Sequence, residues 1–208
     1  MSRYFFYNTK LSEFEQMMML VPNFKPRRKG VIVIGSTQIL NEDISNQFAD
    51  KTYKQLLESN FSKFNNRKLD QRLQKMMGGW EENCFLTPSH RHRFLRYYRE
   101  TFSNQSLAAL YLLSADEILW YRAYGHIFTD EISVKNIPLQ GISTDGYALY
   151  QTAKTITTGK KHIYINEIAD DKLIGDFAFR AIIVGILIAR YGHEILNFGQ
   201  KKKSLCIK

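Results

Sequence analysis

Residues 173–191 read LIGDFAFRAIIVGILIARY, the longest apolar stretch in the chain. Its hydrophobic positions run nearly all round a helical period, which predicts a buried helix opened by Asp170 or Asp171 and followed by Gly192. Asp176 and Arg180 interrupt the stretch four residues apart, so they share one helical face. With Phe177, Phe179, Ile182 and Ile183 around them, they predict a buried structural ion pair. Charges inside the stretch argue against a membrane span, which needs about 20 apolar residues with few or no charges.

The same period recurs upstream. Ile44, Phe48, Leu56 and Leu57 share one face. Asn65-Asn66 break the pattern, and Leu69, Leu73, Met76 and Met77 mark a second helix stopped at Gly78-Gly79. Thr87-Pro88 predicts a helix running to about Phe102, a capping residue followed by proline at the first turn. Asn104 begins another, apolar almost all round through Leu107, Leu110 to Leu113 and Ile118 to Tyr121, and ending near Tyr124. It is predicted to be the central helix of a bundle, with Asp116 and Glu117 held in ion pairs by Arg122 or the arginines of the preceding helix. Ser143 or Thr144 caps a helix ending at Gly159, and the His162-Ile-Tyr-Ile run reads as extended.

The first 50 residues are patterned differently. Ser12 and Glu15 fit a capping box before a short helix that ends ahead of Pro22. Val31 to Ile34, Gly35-Ser36 and Thr37 to Leu40 read as a β-hairpin over 31–40, glycine leading its turn. The expected architecture is therefore mainly α, a helical bundle with a small N-terminal β-hairpin. An N-terminal subdomain spans 1–79, a helical core 80–200 and a basic tail 201–208.

Charge adds a functional expectation. The chain of 208 residues carries a net charge of +9. The excess lies before residue 80 and after residue 140, with a near-neutral middle. Such a field favours nucleic acid or another acidic partner. Two clusters stand out: Arg27, Arg28 and Lys29 in a basic linker, and His92, Arg93, Arg96 and Arg99 on the predicted helix that opens at Thr87. There Phe94, Leu95, Tyr98 and Phe102 form the apolar face, leaving a guanidinium stripe that can meet successive phosphates.

Catalytic and metal patterns are absent from the sequence. His90 and His92, two apart on a helix, point in different directions and cannot share one ion. His193-Glu194 lacks the second histidine of the zinc-protease pattern. Thr158-Gly159-Lys160 and Gly35-Ser36 lack the further glycines of phosphate and dinucleotide loops. Cys84 with a histidine, or Ser143 with Asp145, could be paired on paper, but no nucleophile elbow is present. Arg122 with His126, and Arg190 with His193, are more closely spaced than the Arg and His of small helical ribonucleases of the HEPN type. No catalytic residue, metal or cofactor is expected. The two cysteines, Cys84 and Cys206, sit in no metal-spaced motif and read as reduced thiols. The N-terminal MSRYFFYNTK is too polar for a signal peptide, which gives a cytoplasmic expectation.

His90-Arg91 with Tyr97-Tyr98, Ala109 to Leu113 followed by Glu117-Ile118, and Ile137-Pro138-Leu139-Gln140 carry a family likeness. Over residues 90–190 the chain resembles an uncharacterised helical domain family of unknown function from staphylococci and related Firmicutes. The resemblance implies a mainly helical fold and no chemistry. The functional expectation is a bacterial accessory protein that binds nucleic acid through its basic surfaces and does not enter a membrane. The alternatives are a protein–protein adaptor or self-assembling homo-oligomer, and a helical nuclease-like enzyme.

Overall fold

The computed structural model describes residues 52–78, 84–128 and 131–196. The chain divides into two compact units, Met1–Ala49 and Asp50–Lys208. The described residues all belong to the second. The hairpin at 31–40, the linker residues Arg27, Arg28 and Lys29 and the 201–208 tail lie outside them.

Eight α-helices build the described part: α1 (Tyr53–Phe61), α2 (Arg67–Gly78), α3 (Pro88–Tyr97), α4 (Asn104–Ala115), α5 (Glu117–Ala123), α6 (Thr144–Thr158), α7 (Ile165–Ala169) and α8 (Asp176–Tyr191). Among these residues there is no strand, only an isolated antiparallel bridge between Ile127 and Ile132. The fold is mainly helical. No helix among them is long and apolar enough to cross a membrane.

The helices start where side-chain acceptors meet orphan backbone donors. Thr52, Thr87, Ser103, Asp116 and Ser143 each accept a backbone N–H three residues on. Thr52 and Gln55 complete a capping box. Asn65, left-handed at φ 49°, separates α1 from α2, as the Asn65-Asn66 break predicts.

α4 and α8 form the centre and pack directly on one another. On α4 every residue from Leu107 to Ala115 is buried, and α8 buries Ala178, Phe179, Ala181 to Val184, Leu187 and Ile188. Each fully buried Leu or Ile adds roughly 1.5–3 kcal/mol over its exposed state. The two helices approach closely at Gly185, where a Cβ would stand 2.8 Å from Leu112 Cγ. α6 packs on both, and α3 covers α4.

Several boundaries differ from the sequence pattern. The predicted helix over 104–124 is two helices. Asp116 turns extended at φ −103°, ψ 136°, and its carboxylate accepts from the Leu119 N–H at 2.7 Å. Asp116 is thus a cap rather than a member of an ion pair. α3 stops at Tyr97 because Tyr98 leaves helical geometry at ψ 137°. α8 starts at Asp176, later than Asp170 or Asp171. Asp170 is occupied in its own turn, accepting from Lys172 N–H, and Gly175 is the N-cap. Residues 162–165 form no strand, and α7 follows instead. α1 and α2 belong to the same compact unit as the later helices, because their apolar faces (Leu56, Leu57, Phe61, Leu69, Leu73) are buried there.

Candidate nucleic-acid interface

α3 is held by two inward residues, His90 and Phe94. Phe94 sits among the rings of Phe85, Tyr98 and Tyr111, with centroids 5.2–6.2 Å away. His90 is fully buried beside them. Its Nδ1 accepts from the Leu86 N–H at 3.3 Å, which leaves Nε2 as the protonated nitrogen donating to Tyr111 O at 3.0 Å. Burial pushes the His90 pKa down to about 3, so the ring is neutral and structural.

With His90 and Phe94 turned in, the opposite side of α3 presents Arg91, His92, Leu95 and Arg96 to solvent, and Arg99 follows just beyond the helix end. Arg91 belongs to this surface although the charge stripe drawn from the sequence omitted it. It lies about 140° round the helix from Arg96, at the edge of the surface, so no same-face spacing to the other arginines marks it. Leu95, expected on the apolar face, is 45% exposed and lies within the basic surface.

Arg93 is the exception among the expected phosphate ligands. It turns inward and donates from Nε to Ser114 O at 2.8 Å and from a terminal nitrogen to Ala115 O at 3.4 Å. Those carbonyls are the orphan acceptors at the C-terminal end of α4, which a guanidinium stabilises by hydrogen bonding and by its charge. Arg93 is a helix cap and leaves the stripe.

The ion pairs among the described residues are Lys54–Glu58, Lys68–Asp170, Arg72–Asp176 and Lys75–Asp176, and His193 Nε2 lies 3.4 Å from Glu194 Oε1. None includes Arg91, His92, Arg96 or Arg99. Arg99 donates to its neighbour's carbonyl, Tyr98 O, at 2.8 Å.

The pairing expected for Asp176 and Arg180 is corrected. The Asp176 side chain is 61% exposed and takes its partners from α2, Arg72 at 3.1 Å and Lys75 at 2.6 Å. These two cations, Lys75 foremost, hold its carboxyl below the usual range. The buried member is Arg72, only 7% exposed. It donates to Ile168 O and Ile174 O at 3.0 and 2.8 Å and stacks over Phe179, 4.1 Å from the ring centroid. Arg180 is half-buried further along α8, and its charge lowers the pKa values of Tyr53 and Cys84 against the larger upward effect of their burial.

A cavity of about 380 Å³ gathers the first turns of α3, α5, α6 and α8, lined by Ser89, Arg93, Asp116, Glu117, Asp145 and Phe177 among others. Its polar groups serve the helices. Ser143 Oγ accepts from Gly146 N–H at 3.0 Å, and Asp145 accepts from Gly175 N–H at 2.8 Å. Ser143 and Asp145 are thus two separate caps and make no nucleophile–base pair. Cys84 is buried, and desolvation pushes its thiol up to about 11, which makes it inert. Arg190 donates to Asn60 Oδ1 at 2.8 Å, and His193 lies beside Glu194. Among the described residues no group of three or more His, Cys, Asp and Glu is placed to hold a metal ion.

No family model, curated protein or solved structure matches the chain.

Proposed function

We propose that the protein binds nucleic acid, with the outward side of α3 contacting the phosphates through Arg91, Arg96 and Arg99 and through His92 when protonated. One observation carries this reading. Arg91 and Arg96 of α3, and Arg99 just beyond it, have no carboxylate partner among the described residues, whereas the third arginine of the helix, Arg93, is consumed as a cap. Unpaired guanidiniums on a chain of net charge +9 favour a polyanion, and each phosphate neutralised releases counterions. In the sequence, Arg27, Arg28 and Lys29 contribute three further cations to the net charge. The family resemblance contributes nothing to this reading, since it implies no chemistry.

The test is binding of the full chain to labelled oligonucleotides at increasing salt. Affinity should fall steeply and linearly on logarithmic axes, and Arg96→Ala should lower the slope by about one. Absence of binding at low salt would end the proposal. A second reading, a protein adaptor or self-assembling subunit, is favoured by Leu95, an apolar side chain standing within the same exposed surface. Salt-independent self-association would support it.

A further inference from the structure

α5 has an apolar inner face and an outer face that is also largely apolar. Leu119, Trp120 and Ala123 are buried. Ile118, Tyr121 and Arg122, at i, i+3 and i+4, point outward, and Tyr121 is 66% exposed. Tyr124 and Phe128 follow on the 3₁₀ turn Tyr124–His126 and the Ile127–Ile132 bridge, each about half exposed. The outward side of a surface helix is ordinarily polar, and clustered exposed aromatics mark an interaction site.

This segment touches the end of α3. The Tyr97 and Trp120 rings meet edge to face at 5.1 Å, joining the last turn of α3 to the middle of α5. Arg96 and Tyr121 are the sequence neighbours of those two rings, and both are exposed. Arg96, with no carboxylate partner among the described residues, and the exposed Tyr121 thus flank one helix–helix contact, and Arg122 adds a further cation next to Tyr121 in the chain. Cations for phosphates and flat rings for bases together match a polyanion whose base faces are accessible.

We infer that the Ile118–Phe128 segment is a base-stacking platform and that the nucleic acid held by α3 is single-stranded. This rests on the phosphate-contact reading above. In a duplex the base faces are hidden in the stack, so outward tyrosines gain nothing from it. A single strand offers every base as a π surface. Tyr121 is the principal stacking residue, with Tyr124 and Phe128 as further positions.

The test is fluorescence anisotropy of the full chain with a fluorescein-labelled single-stranded oligodeoxynucleotide of mixed sequence and with the duplex of the same sequence. The single strand should bind more tightly. Tyr121→Ala should weaken it by about 5–150-fold while leaving duplex affinity and the salt slope unchanged, and Tyr121→Phe should restore it. Arg96→Ala should weaken both forms. Tyr121 is mostly exposed, so an unchanged dichroism spectrum and melting curve should accompany its variants. Equal binding of both forms, unaffected by Tyr121→Ala, would overturn the platform and leave phosphate contact by α3 intact. No binding of either form at low salt would remove the phosphate reading and the platform with it. A concentration-dependent self-association lost in Tyr121→Ala, with oligonucleotide binding unaltered, would make the face a contact between copies and overturn the inference.

Discussion

The imidazole of His90 donates to the backbone carbonyl of Tyr111 at 3.0 Å, and the two rings lie 4.6 Å apart in the core. A proton on Nδ1 would displace the Leu86 N–H bond and place a charge where no water reaches. The folded-state pKa of about 3 lies below the ordinary 6.5, so between these values the unfolded chain binds the extra proton. The stability contributed by neutral His90 is complete above about pH 6.5 and is lost as pH falls toward 3. The loss is on the order of 1.4 kcal/mol per pH unit within that window. Urea denaturation at pH 7, 6 and 5 should show the decline, and His90→Asn should flatten it. A midpoint independent of pH over that range would show that the ring is not buried neutral.

Arg72 and Asp176 form one ion pair with unequal consequences. Arg72→Ala removes the donors to Ile168 O and Ile174 O and the stack on Phe179, and should cost about 3–5 kcal/mol. Asp176→Asn touches an exposed, solvent-screened partner and should cost about 1 kcal/mol or less. Denaturant midpoints of the two variants give the comparison. Equal losses would mean that the pair acts as a unit and that the carbonyl contacts of Arg72 are secondary.

Gly185→Ala sets helix propensity against packing. Alanine gains about 1 kcal/mol over glycine inside a helix. The new Cβ would stand 2.8 Å from Leu112 Cγ and Cδ2, and Leu112 is fully buried, so overpacking costs about 1–3 kcal/mol. The expected sum is a destabilised protein. In a Leu112→Ala background the clash is gone, and the same change should stabilise. The sign reversal, read from urea midpoints, checks the close approach of α4 and α8.

Arg93 and Arg96 separate fold from function on one helix. Arg93→Ala should lower stability by about 1–3 kcal/mol, leave the salt slope of binding intact and reduce helicity near Ala115. Arg96→Ala should alter stability by less than about 0.5 kcal/mol and lower the salt slope by about one. Thermal melts and salt titrations on the two variants are the measurements. The reverse pattern would exchange their roles.

Local signals were legible and distant partners were not. Thr87, Ser143, the Asn65-Asn66 break and Gly159 each act on backbone within a few residues, so their patterns can be read along the chain. The break at Asp116 is hidden because the apolar pattern resumes at Ile118 after Asp116 and Glu117, although an acid at a helix start is itself a cap signal. The sequence pairs Asp176 with Arg180 because a helical wheel offers only partners on the same helix. Its actual partners, Arg72 and Lys75, lie about a hundred residues away. For α3 the wheel found the exposed arginines but could not show that the C-terminal end of α4 would claim Arg93. It also placed the whole of α5 inside, since nothing in the composition of an apolar helix tells which half remains uncovered.

The first turn of α8 depends on the carboxylate of Asp145, which accepts from Gly175 N–H across 30 residues, and on Gly175 having no side chain, since a Cβ there would fall 2.8 Å from Asp145 Oδ2. Gly146 gives Asp116 similar room at the start of α6, where a Cβ would lie 3.3 Å from its Oδ1. The helix beginnings are thus relayed from one segment to the next instead of being encoded where they occur. Cut loose as a peptide, residues 175–191 would lose the acceptor of the Gly175 N–H. In the intact chain that one N–H should exchange with solvent only when the start of α6 opens too, so its protection reports on α6 as well as on α8.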